Sequence, residues 1–144
     1  MSSDDLQGLY QQLILDHYKN PHGRVTIESP TGESHQLNPT CGDEVTLSVR
    51  VTDGVVEAIG WEGHGCSISQ ASASLLSTLV ESTTVDDAGA LLEEFRTAMR
   101  SRGTVELDEE RFGDAIALNG VSRYVARVKC AMLPWVALEA ALAG

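Results

Sequence analysis

Glu44-Val45-Thr46-Leu47-Ser48-Val49-Arg50-Val51-Thr52 runs into Asp53-Gly54 and returns as Val55-Val56-Glu57-Ala58-Ile59-Gly60-Trp61. Val45, Leu47, Val49 and Val51 alternate with polar residues. That is the period of a strand with one face buried and one in water. Asp53-Gly54 is a dipeptide favoured in two-residue hairpin turns, so Val55 to Trp61 reads as the antiparallel partner. A sheet with one apolar face needs a second layer to cover it.

The flanking chain supplies that layer. Leu6, Leu9, Tyr10, Leu13 and Ile14 recur at helical spacing between about Asp5 and Lys19, and Asn20-Pro21-His22-Gly23 ends the run. Arg24 to Thr40 is rich in Ser, Thr, Pro, Gly and Asn and reads as loop or irregular strand. Beyond the hairpin, Gly63-His64-Gly65-Cys66 breaks the strand. Ser67 with Gln70 has the form of a capping box, which predicts a helix to about Glu81. Thr84 is placed to cap another, from about Val85 to Arg100. Ser101 to Asp108 reads as loop, and Glu109 to Leu118 as a short helix stopped by Asn119-Gly120. Tyr124 to Leu142 reads as helical, with Pro134 kinking the helix or forcing it to begin only a few residues earlier. This order predicts an α+β fold, a small antiparallel sheet with several helices packed on one face, in one domain over residues 1–144.

Hydrophobic residues make up 42% of the chain and aromatics 5%, so aliphatic side chains must fill the core. The formal net charge is -11. Such a surface repels phosphate backbones and anionic lipid, which argues against nucleic acid or a membrane as partner. It suits a partner with a basic docking face. The acidic start, Met1 to Asp5, lacks the basic and apolar regions of a secretion signal, and no apolar run is long enough for a bilayer. The expected location is the cytoplasm, where thiols stay reduced. Three widely spaced cysteines suit no disulfide framework there.

Those cysteines carry the chemistry. Cys41 and Asp43 flank Gly42, and residues i and i+2 of an extended segment project to one side. Cys66 precedes a helix, whose N-terminus favours anionic groups. Cys130 lies far along the chain, near the start of the last helical segment. Three thiols and a carboxylate would make a tetrahedral set, and thiolates select zinc or iron–sulfur clusters over magnesium or calcium. The residues alone leave a second reading open, three separate core cysteines. His64, two residues before Cys66, is an alternative fourth ligand to Asp43. His17 on the first helix reads as structural or docking, His22 and His35 as solvated, and Trp61 and Trp135 as packing residues.

Taken together, the motifs resemble the IscU-like family of iron–sulfur cluster assembly proteins, over nearly the whole chain. The segments that carry the resemblance are Leu9-Tyr10 through Asp16-His17-Tyr18-Lys19-Asn20-Pro21, Cys41-Gly42-Asp43, Gly63-His64-Gly65-Cys66-Ser67-Ile68-Ser69, and Arg127-Val128-Lys129-Cys130-Ala131. Lys129 stands where IscU scaffolds carry histidine, and Ser101 to Gly120 looks like an insertion typical of the SufU-type branch. The resemblance implies a SufE/IscU-like fold and zinc bound by Cys41, Asp43, Cys66 and Cys130. It also implies that Cys41 accepts persulfide sulfur from a SufS-type cysteine desulfurase and passes it to a downstream SUF scaffold complex. Arg127 and Lys129, close to Cys130 in sequence, would offset the negative charge of such a centre or meet a partner. The rival implication is a scaffold on which a [2Fe-2S] cluster is built, with iron in place of zinc.

Overall fold

The computed structural model describes residues 3–40 and 42–143. The hairpin is present as β2 (Asp43–Thr52) and β3 (Val55–His64), and β1 (Gly32–Asn38) adds a third antiparallel strand in the order β1-β2-β3. Asp53 and Gly54 turn the hairpin at φ 52° and 76°, the left-handed pair a type I′ turn requires. Val45, Leu47 and Val49 of β2 join Val56, Ile59 and Trp61 of β3 in the core.

β1 escaped the reading of Arg24 to Thr40 as loop or irregular strand for a physical reason. Its inward positions are Gly32, Ser34, Gln36 and Asn38, while Leu37 is exposed. The helix α5 (Val125–Ala143) lies so close that a Cβ on Gly32 would sit 1.9 Å from the Ala141 carbonyl oxygen. Small and polar residues fit under that backbone, so the strand shows no apolar alternation.

α5 packs across β1 and β2, and α2 (Ser67–Val80) packs beside it against β3. α1 (Ser3–Lys19) lies on α2. There His17 is buried, with Nδ1 2.7 Å from the Ser74 hydroxyl. Burial holds the His17 imidazole below its ordinary pKa, and the neighbouring His22 adds to this. His17 is thus a structural histidine, and His22 and His35 are exposed. α3 (Val85–Arg100) begins as expected, with Thr84 accepting the Asp87 N–H.

Two local expectations fail. The Ser67–Gln70 capping box does not form: Cys66 is the N-cap of α2, without a side-chain cap. The segment after Asp108 is one α-helical turn, α4 (Glu109–Phe112), followed by 3-10 turns from Gly113 to Arg123. Gly113 at φ 51° breaks the α-helix early. Asn119 does not stop the run; its side chain accepts the Leu107 N–H instead. The 101–120 segment also enters the core, because Phe112 closes an aromatic cluster in which Phe95 stacks on Trp135 at 4.4 Å. Both tryptophans are buried packing residues. α5 starts nine residues before Pro134 and runs through it; Pro134 and Trp135 are buried where the helix crosses the core.

Candidate metal centre

β2, α2 and α5 meet at one end of the sheet, and each delivers one donor. Asp43 is the first residue of β2 and has the same parity as Val45. The strand alternation therefore aims its carboxylate under the helices, where it is fully buried. Cys66 follows β3 and caps α2, and Cys130 is buried in the second turn of α5. Ligand atoms of Asp43, Cys66 and Cys130 all lie within 4.8 Å of one another.

The donors fit a small tetrahedral cation. Zinc–sulfur bonds of about 2.3 Å and zinc–oxygen bonds of about 2.1 Å imply a sulfur–oxygen edge of about 3.6 Å. The Cys66 Sγ lies 3.7 Å from Asp43 Oδ2. The second oxygen, Oδ1, accepts the Cys66 backbone N–H at 2.8 Å. One oxygen thus fixes the carboxylate while the other faces the thiol, the division expected of a held metal ligand.

Cys41 lies outside the described residues. Next to it in sequence, the Gly42 N–H donates to the Asn38 carbonyl oxygen, with Gly42 at φ 74°. His64 does not join the donor group: its ring is exposed on the opposite face of the sheet, 3.5 Å from Glu44. Strand parity explains this, since His64 pairs with Glu44 and not with Asp43. Arg127 and Lys129 are both exposed on the first turns of α5. Arg127 lines a groove with Tyr10, Ile14, Ile68 and Tyr124.

Three further residues support the donors: Gly65, read from the sequence as allowing close backbone approach, and Ser69 and Ser72, which were not singled out. Gly65 lies against the Asp43 carboxylate, and the Ser69 hydroxyl donates to the Cys66 carbonyl oxygen at 3.0 Å. Ser72 is buried between α2 and α5. Its hydroxyl donates to the Ala131 carbonyl oxygen at 2.6 Å and accepts the Trp135 indole N–H at 3.2 Å. The serine run after Cys66 was the only signal for the last two. Ser72→Ala leaves two buried polar groups without these partners, which predicts a loss of about 2–4 kcal/mol in urea unfolding. Because Ala131 adjoins Cys130, the same variant should also lose metal faster to a chelator.

Comparison with known proteins agrees with this architecture. Residues 9–131 match the model of the NifU-like N terminal domain. The chain is 39% identical to the zinc-dependent sulfurtransferase SufU of Bacillus subtilis, over 96% of this chain and 92% of that one. It is 34% identical to the iron-sulfur cluster assembly scaffold protein IscU of Streptococcus pyogenes, over 99% and 87%. A crystal structure of a candidate iron-sulfur cluster assembly scaffold protein for the SUF system, from Fervidobacterium islandicum, superposes with a TM-score of 0.77 at 35% identity, covering 98% and 99%. With the fold, the motifs and these relatives in agreement over almost its full length, the chain belongs to the NifU-like N-terminal domain family of iron–sulfur cluster assembly proteins.

Proposed function

We propose that the chain is a zinc-dependent sulfurtransferase, which accepts persulfide sulfur on Cys41 from a SufS-type cysteine desulfurase and hands it to a downstream SUF scaffold complex. Its strongest support is the buried carboxylate of Asp43 in one group with the thiols of Cys66 and Cys130. A purely structural zinc site uses cysteine and histidine, whereas a carboxylate is a harder and more exchangeable ligand. Cys41, two residues before Asp43, would complete the ligand set. When bound, zinc keeps such thiols deprotonated at neutral pH.

The transfer step balances without an added oxidant or reductant. The Cys41 thiolate attacks the terminal sulfur of the desulfurase persulfide. A new sulfur–sulfur bond forms on Cys41, the old one breaks, and the desulfurase cysteine leaves as its thiolate. The acidic surface, formal net charge -11, favours a desulfurase with a basic docking face. No helix among the described residues is long and apolar enough to cross a membrane.

The rival reading is an IscU-type scaffold, supported by the IscU relative above. Lys129 counts against it, because the side chain before Cys130 is exposed and a protonated lysine is a poor ligand. Metal analysis of the purified protein, paired with desulfurase turnover, separates the two. The expected result is about one zinc per chain, a colourless protein and stimulated turnover that Cys41→Ala abolishes. Iron with sulfur-to-iron absorbance would favour the scaffold, and normal stimulation by Cys41→Ala would overturn the transfer reading.

A further inference from the structure

We propose that His35, Glu44 and His64 form a second, solvent-facing site for a divalent transition-metal ion, on the face of the sheet opposite the thiol centre. All three lie at the end of the sheet where Asp43 begins β2. Glu44 pairs directly with His64 of β3, and His35 of β1 pairs with Thr46, the next residue on the same face of β2. The two imidazoles bracket a single carboxylate. His35 Nε2 is 2.6 Å from Glu44 Oε2, and His64 Nε2 is 3.5 Å from Oε1. Two imidazoles and a carboxylate are donors that suit zinc, copper, nickel and iron.

Each imidazole is near bonding separation from the carboxylate, but the three donors together are spread beyond 4.8 Å, so the two rings must converge to share one ion. Tetrahedral zinc with imidazole and carboxylate ligands has a nitrogen–oxygen edge of about 3.4 Å. The His64–Glu44 separation already matches that edge. His35 makes a direct hydrogen bond instead, so its ring must back away by roughly 0.8 Å as the ion enters. Among the described residues, only Asp43, Cys66 and Cys130 have ligand atoms gathered within 4.8 Å; the outer triad closes by side-chain rotation. Both histidine side chains are more than half exposed, 53% and 73%, so rotation meets little packing and water can complete the coordination sphere.

The local charge also admits a cation. These residues line a cleft of about 390 Å³ that includes Arg24 and Glu62. The Arg24 guanidinium is turned to the Gly63 carbonyl oxygen at 3.0 Å and lies 3.8 Å from the Glu62 carboxylate. Its charge is met there, which leaves the Glu44 carboxylate to the incoming ion.

The test is a calorimetric zinc titration of the full chain already carrying zinc at its thiol centre. The expected result is a further equivalent in the wild type, absent from the His35→Ala/His64→Ala double variant. Glu44→Gln should weaken the same binding event. The double variant should keep its Tm and its first zinc, because both rings are exposed. Cobalt adds a spectroscopic readout: the thiol centre gives sulfur-to-cobalt charge-transfer absorbance, and the second equivalent should bind without adding to it. No second equivalent in the wild type would overturn the proposal, and so would a second equivalent that survives the double substitution.

Discussion

Gly65→Ala should cost the protein most of the zinc proposed for its thiol centre, while Gly42→Ala should leave zinc retention close to that of the wild type. A Cβ on Gly65 would lie 2.3 Å from Asp43 Oδ1, 2.9 Å from its Cγ and 3.0 Å from its Cα. A side-chain shift relieves the first contact only in an open site, and the last is with backbone. Gly65 also has φ 150°, where residues with a Cβ rarely sit. Strain of this kind costs about 1–3 kcal/mol. The cheapest relief moves Asp43 away from Cys66, which breaks the oxygen–sulfur edge of the metal site. The expected weakening of zinc binding is on the order of 10- to 100-fold. Gly42 has φ 74°, but its Cβ would meet nothing within 4 Å among the described residues beyond its chain neighbours. An alanine there bears only the backbone cost, about 1–2 kcal/mol. Competition with a chromophoric zinc chelator reads both variants. Equal retention by Gly65→Ala and the wild type would remove Asp43 from the ligand set.

Stripping the metal should lower the thermal midpoint by roughly 10–15 °C, reversibly on adding zinc back. Asp43 is wholly buried and Cys130 nearly so, and their donor atoms converge with Cys66. A cation that binds only the folded chain, present at about a thousandfold over its dissociation constant, adds about 4 kcal/mol. Without it, a carboxylate and thiols are left crowded where strand, helix cap and second helix meet, so loss of metal loosens three elements at once. Circular dichroism melts with and without chelator measure the shift. Cys130→Ala should melt near the metal-free midpoint under both conditions. A wild-type midpoint that ignores the chelator would show that the centre does not hold the fold together.

What the sequence revealed followed from how loudly each packing demand is written in side-chain type. The β2–β3 hairpin was plain because Val45, Leu47 and Val49 face a layer of helices while Thr46, Ser48 and Arg50 face water. α3 was plain because Thr84 caps it. β1 was obscure because the Ala141 backbone lies against Gly32 and leaves no room there for an apolar side chain. The end of α4 was obscure because a left-handed Gly113 decided it, and Asn119-Gly120 was the more conspicuous breaker. For the site, the position of Cys66 next to a helix start was legible. Spacing could not tell that Cys130, more than sixty residues later, closes on Asp43; that meeting depends on α5 crossing the sheet. His64 was set beside Cys66 by sequence proximity, and the strand's alternation turned it to the other face.

The direction of Asp43 has a consequence for how such a chain can diverge. Asp43 and Glu44 are neighbours, yet the pleat sends one beneath the helices and the other into the cleft with His35 and His64. Inserting one residue between Glu44 and the core position Val45 would exchange the two carboxylates across the sheet, and deleting Glu44 would turn Asp43 outward. Length variation should therefore be excluded from that step of β2 in viable descendants. It should gather instead in solvent-facing connections such as 101–106, where extra residues can be absorbed without reversing the facing of any strand.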